Sequence, residues 1–107
     1  MIEVYGLKNC DTCRKALKAL PEAVLRDVRS DGVPDALLAR AHEQFREALL
    51  NTRSTTWRGL DADALEMPPL ELLSRHPALM KRPLVVAGDA LFLGWTATSE
   101  AQIRAAL

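Results

Sequence analysis

The chain has 107 residues, 49% of them hydrophobic and 26% charged, which suits one soluble domain and argues against disorder. Its 14 basic side chains balance 14 acidic ones, so no global field draws it to nucleic acid or to an anionic membrane, and neither partner is expected. Unbroken apolar runs such as Leu84-Val85-Val86-Ala87 are far short of the roughly 20 residues that span a bilayer.

The N-terminus runs Met1-Ile2-Glu3 and soon reaches Lys8, leaving no room for the apolar core of an export signal. The reducing cytoplasm is therefore the expected compartment. Two cysteines there read as reactive or metal-binding rather than as a static crosslink.

In chain order, Ile2 to Tyr5 reads as a short buried strand, with Gly6 as the turn that ends it. Cys10, Cys13, Ala16, Leu17 and Leu20 then recur at helical spacing, with Arg14, Lys15 and Lys18 on the other face and Pro21 as the stop. Ala23 to Val28 alternates as a second strand, closed by Ser30-Asp31-Gly32. This is the order of a parallel βαβ unit.

The middle reads as helical. Pro34 suits a first helical position ahead of Leu37, Leu38, Ala41, Phe45 and Leu49. Arg40, Glu43, Arg46 and Glu47 read as its solvated face. Asn51 to Leu60 is polar and reads as a loop or short helix, and Pro68-Pro69 opens another helix with Leu70, Leu72 and Leu73, broken by Pro77.

Leu84 to Ala87 and Leu91 to Leu93 flank Gly88-Asp89-Ala90 as a hairpin. Ser99 and Gln102 have capping-box spacing, with Ile103 and Leu107 facing inward behind them. The expectation is one α/β domain, residues 1–107, with a helical insert at about 34–80.

Cys10-Asp11-Thr12-Cys13 stands where the first strand passes into the first helix. Backbone N–H groups in a first helical turn lack intrahelical partners and carry partial positive charge, which favours a thiolate there. Cys10 is the candidate nucleophile. Cys13, one turn along, is the candidate resolving thiol. Lys8 and Arg14 would add to the positive field and Asp11 would subtract from it.

Zinc would need two more ligands, and His42 and His76 stand 34 positions apart, unlike a finger; no metal is expected. Covalent haem needs a histidine where Arg14 stands. The plain alternative is a pair of small buried hydrophobes. Both histidines, with Trp57 and Trp95, read as structural or solvated residues.

Two further segments could hold an anion. Lys81-Arg82-Pro83 precedes a strand, at a place where proline is tolerated and an X-Pro bond can be cis. Arg53 and Arg58 stand among hydroxyl side chains in Asn51-Thr52-Arg53-Ser54-Thr55-Thr56-Trp57-Arg58. A solvated basic pair and an exposed polar loop are the respective alternatives.

Cys10-x-x-Cys13-Arg14, the Asn-x-Arg-x-Thr-Thr-x-Arg segment and Lys-Arg-Pro-Leu-Val-Val, in this order, resemble the arsenate reductase-like family over essentially the whole chain. Tyr5-Gly6-Leu7-Lys8-Asn9-Cys10-Asp11-Thr12 is most similar to its YffB branch of glutathione-dependent thiol reductases. The resemblance implies a thioredoxin-like fold with a helical insertion, Cys10 as nucleophile, Arg53 and Arg82 as anion-binding arginines, and Pro83 as the cis-proline beside the thiol. It implies glutathione as co-substrate, with no tightly bound cofactor.

Two other activities occur among such relatives. An arsenate reductase coupled to glutathione and glutaredoxin is expected to use a third arginine after the last hairpin strand. Here Gly94-Trp95-Thr96 occupies that region, and no Lys or Arg lies between Arg82 and Arg104. An Spx-type regulator would bind RNA polymerase and carry a C-terminal extension.

Overall fold

A computed structural model describes residues 2–106. The chain forms two compact units, one built from Met1–Asp31 with Arg82–Leu107 and the other from Gly32–Lys81.

The first unit contains β1 (Ile2–Gly6), α1 (Asp11–Ala19), β2 (Val24–Asp27), β3 (Leu84–Ala87), β4 (Ala90–Leu93) and α6 (Ala97–Ala106). Among the described residues the sheet order is β2-β1-β3-β4. β2 pairs parallel to β1 because α1 returns the chain as a crossover, whereas β3 and β4 pair antiparallel. This is the expected α/β arrangement, a thioredoxin-like βαβ then ββα.

Strand side chains alternate between faces, so Ile2 and Val4 of β1 lie on one face with Val85 and Ala87 of β3. Leu20 and Ile103 close that core, and Leu17, Leu25, Phe92 and Trp95 pack around it. The Arg104 guanidinium donates to the Ala19 carbonyl at 3.3 Å, giving one of the orphan carbonyls of α1 a partner.

Three local expectations are corrected here. Gly6 is the last residue of β1, paired opposite Asp27, and not a turn. The hairpin turn is two residues, Gly88-Asp89, since Ala90 already pairs with Ala87. Gly88 has φ of 61°, the positive value that the first position of a type II′ turn needs.

The third correction concerns the last helix. Its capping box is Thr96 with Ser99, and Ser99 does not start it. Ser99 N–H donates to Thr96 Oγ1 at 3.1 Å, and Thr96 N–H donates to Ser99 Oγ at 2.8 Å. Ser99 Oγ also reaches the Gly94 carbonyl at 3.1 Å, which fixes the chain reversal and places the cap three residues early. Leu107 lies outside the described residues.

The Gly32–Lys81 unit contains α2 (Asp35–Phe45), α3 (Thr55–Arg58), α4 (Ala62–Leu65) and α5 (Pro69–Arg75), with 3₁₀ turns at Arg46–Leu49 and Pro77–Leu79. Leu37, Leu38 and Ala41 of α2 are buried, as are Leu49, Leu72, Leu73, Leu79 and Met80. Ser54 caps α3 through Trp57 N–H and Asp61 caps α4 through Ala64 N–H. A bridge from Leu50 to Met80 ties the segment after the first 3₁₀ turn to the end of the unit.

Pro34 stands at the N-cap of α2 and not at its first position. α2 also stops short of Leu49: Arg46 has φ of 54°, a conformation that turns the chain out of the helix. The expected stripe is thus divided between a helix and a 3₁₀ turn. Leu70 is exposed, because α5 begins at Pro69 and only Leu72 and Leu73 reach the inward side.

Candidate active site

β1 ends at Gly6, and Leu7 to Asn9 lead into α1 with Cys10 at its N-cap. The Cys10 backbone is extended (φ −92°, ψ 120°), its carbonyl accepts from Arg14 N–H at 2.9 Å, and its side chain makes no capping hydrogen bond. The sulfur is therefore available to another reactant while the helix end still acts on it. Cys10 is half-buried and Cys13 fully buried, both as free thiols.

Their electrostatics differ in sign. Burial pushes the Cys10 thiol up, but the Cys13 backbone N–H, the Cys13 thiol, the Arg82 guanidinium and the Thr12 N–H outweigh it, leaving the pKa below its ordinary value. Burial is also the main influence on Cys13, and negative charge at Cys10 adds to it. Against the Leu7 N–H and Arg82, these push the Cys13 thiol up to about 11. At neutral pH this gives a thiolate-prone sulfur at the helix end beside a protonated one.

Arg82 is the charged side chain with the leading effect on Cys10. It belongs to the same unit and enters β3 through Pro83, which is buried behind a cis Arg82–Pro83 bond. The Pro83 carbonyl accepts from Gly94 N–H at 2.9 Å, anchoring the segment to the strand hairpin.

The two cations next to Cys10 in sequence have other partners. Arg14 is exposed, donates from Nε to the Lys8 carbonyl at 3.0 Å and lies 3.6 Å from the Asp11 carboxylate. Lys8 acts on Asp27 at the end of β2, whose carboxyl is held below its usual range chiefly by the Ser30 and Arg29 N–H groups. Arg53 and Arg58 are exposed in the Gly32–Lys81 unit, where Arg53 N–H donates to Asn51 Oδ1 at 3.2 Å and Arg58 ends α3.

His76 lines a groove of about 350 Å³ in that unit with Asp61, Asp63 and Met67. Asp61 Oδ1 is occupied in capping α4 at 2.8 Å. Trp95 packs on the core of the first unit.

Gly6 belongs to the site, and the sequence signalled it only as a glycine next to a strand. A Cβ built there would overlap Cys13 Sγ and lie 3.3 Å from Cys13 Cβ.

A cysteine of lowered pKa at the start of the first helix, a buried thiol one turn behind it, and Arg82 acting on both, all on a thioredoxin-like frame, are the arrangement of a thiol-based redox protein. The model of the ArsC family matches residues 5–105, and the chain belongs to that family. An uncharacterized protein of Haemophilus influenzae is 41% identical over 104 residues, which are 89% of this chain and 91% of that protein.

The global transcriptional regulator Spx of Bacillus subtilis is 26% identical over 114 residues, covering 97% of this chain and 85% of the regulator. A solved YffB protein structure matches with a TM-score of 0.84 at 26% identity, covering 96% of this chain and 98% of that one. The expected family and fold both hold. Among the described residues no helix is long and apolar enough to cross a membrane.

Proposed function

We propose that this protein is a glutathione-dependent thiol–disulfide oxidoreductase with Cys10 as its nucleophile. The observation that carries this reading is the opposed tuning of the two thiols, with Cys10 lowered by the helix end and Arg82 while Cys13 is held protonated. The family membership and the likeness to a YffB structure support it.

On a glutathione mixed disulfide, the Cys10 thiolate attacks the glutathione sulfur. The S–S bond breaks, the substrate leaves as a thiolate that takes a proton, and Cys10 is left joined to glutathione. A second glutathione thiolate then attacks that disulfide, frees Cys10 and leaves as oxidised glutathione. The net change reduces one mixed disulfide and oxidises one glutathione, with no electrons unaccounted for.

A buried thiol with a pKa of about 11 is scarcely ionised at pH 7, so an external thiol is the better resolving group and Cys13 serves mainly as a donor to Cys10. Arg82, next to the thiol, is suited to a carboxylate of glutathione.

The test is turnover of a glutathionylated peptide, followed as oxidised glutathione. Wild type and Cys13→Ser should turn over, and Cys10→Ser should not. Wild-type turnover no faster than that of Cys10→Ser overturns the proposal. Arsenate offered with glutathione and glutaredoxin, and capture of RNA polymerase by the oxidised protein, test the other two activities.

A further inference from the structure

We propose that Gly6 is a positioning residue for Cys10: its missing side chain lets the Cys13 sulfur seat against the end of β1, from where that thiol acts on the nucleophile. This rests on Cys10 being the reacting thiol, as proposed above, but not on its use of glutathione.

Glycine in a strand is unfavourable, since it loses more backbone freedom on folding than other residues and packs nothing. Turn geometry does not demand it at position 6. Among the described residues the glycines with positive φ are Gly32, Gly88 and Gly94, and Gly6 keeps ordinary strand pairing opposite Asp27. The Gly6 carbonyl even continues the ladder by accepting from Val28 N–H at 3.0 Å. A backbone explanation therefore fails.

The steric explanation is specific. Among the described residues, a Cβ at position 6 would meet Cys13 and nothing else within 4 Å. The sulfur fills the space that any other residue's side chain would begin to occupy. There it takes the Leu7 N–H and lies close enough to Cys10 for each thiol to influence the other.

A helix leaves a cysteine essentially two χ1 rotamers, because the third drives into the preceding turn. Forced off its place, Cys13 Sγ must swing to the alternative, away from the end of β1. Its hydrogen-bonding influence on Cys10 then changes, although neither Cys10 nor the helix end has been touched.

The experiment is a pH profile of iodoacetamide labelling at Cys10, read by mass spectrometry of its peptide, for wild type, Gly6→Ala, Cys13→Ala and the double variant. Gly6→Ala should slow labelling at pH 7 on the order of three- to tenfold by moving the profile to higher pH. Cys13→Ala should do the same, and the double variant should match Cys13→Ala, because the overlapping sulfur is then gone and the added methyl group meets only the Cβ of residue 13, at 3.3 Å.

Should Gly6→Ala not fold, the double variant should still give the thermal transition of Cys13→Ala. A folded Gly6→Ala with the wild-type profile overturns the proposal. So does a double variant whose profile shift is the sum of the two single shifts, or one that fails to fold. Labelling involves no glutathione, so loss of the glutathione reading would show only in the turnover assay.

Discussion

Replacing Cys13 by alanine should remove a part of the stability that wild type loses in alkali. In the folded chain the thiol is held up to about 11, whereas in the unfolded chain it titrates near the free value of about 8.5. Between those values the unfolded chain has given up the proton and the folded chain still holds it. A group raised on folding contributes stability that is complete below the unfolded pKa and is lost as pH rises through the folded one.

The loss approaches about 1.4 kcal/mol per pH unit in the window and comes to about 2 kcal/mol between pH 7 and pH 10. Cys10 has the opposite sign: its lowered pKa contributes stability that is complete above the unfolded value and is lost as pH falls through the folded one. Together the two thiols should give a broad maximum near pH 8.5.

Urea unfolding at pH 7, 8.5 and 10, in a non-thiol reductant, measures this for wild type, Cys10→Ala and Cys13→Ala. With an m-value of roughly 2 kcal/mol/M, the difference between wild type and Cys13→Ala should close by about 1 M in midpoint from pH 7 to pH 10. Tyrosine and lysine titrations are common to both and cancel, and the Cys10 contribution, which Cys13→Ala also alters, is measured separately by Cys10→Ala. Parallel trends for the two proteins across that range would refute the assignment of a buried, protonated Cys13.

Arg82→Gln should raise the Cys10 pKa and slow its alkylation at pH 7 by about two- to fivefold, with the gap narrowing at high salt, because the cation acts on a half-buried thiol through screened solvent. Ser99→Ala should cost about 1–2 kcal/mol in chemical unfolding, since it removes the acceptor of Thr96 N–H and the donor to the Gly94 carbonyl at once. Thr96→Ala added to it should cost less than the sum, because the two residues form one reciprocal cap. Arg46→Gly should gain about 0.5–1 kcal/mol, as glycine holds a φ of 54° without strain and returns only part of that gain through its looser unfolded chain; a loss measured by thermal unfolding would contradict it.

Local physics explains how much could be read directly. The 2-residue and 3.6-residue periods, the prolines at helix starts and Gly88 in its turn act over a few neighbours. They define β1, α1, β2 and the β3–β4 hairpin, and they put Cys10 at a helix N-terminus. α4 went unread because four residues offer no period, and its evidence is one Asp61 cap.

What the tertiary structure alone decided are approaches between residues that no local pattern couples. Ser99 had a cap's composition, but the Gly94 carbonyl behind it turned it into the third residue of a cap begun at Thr96. Lys8 and Arg14 are near Cys10 in sequence, yet Arg82, 72 positions away, is the cation with the leading effect on it, because the pairing of β3 with β1 brings the start of β3 beside the end of β1. Gly6 reads locally as a chain break; only the packing of α1 on β1 shows it as the space a sulfur fills. Local pattern alone places Cys10 at a helix N-terminus, where the dipole favours a thiolate, whereas what tunes that thiol comes from the packed fold, since charge and steric contact act through space.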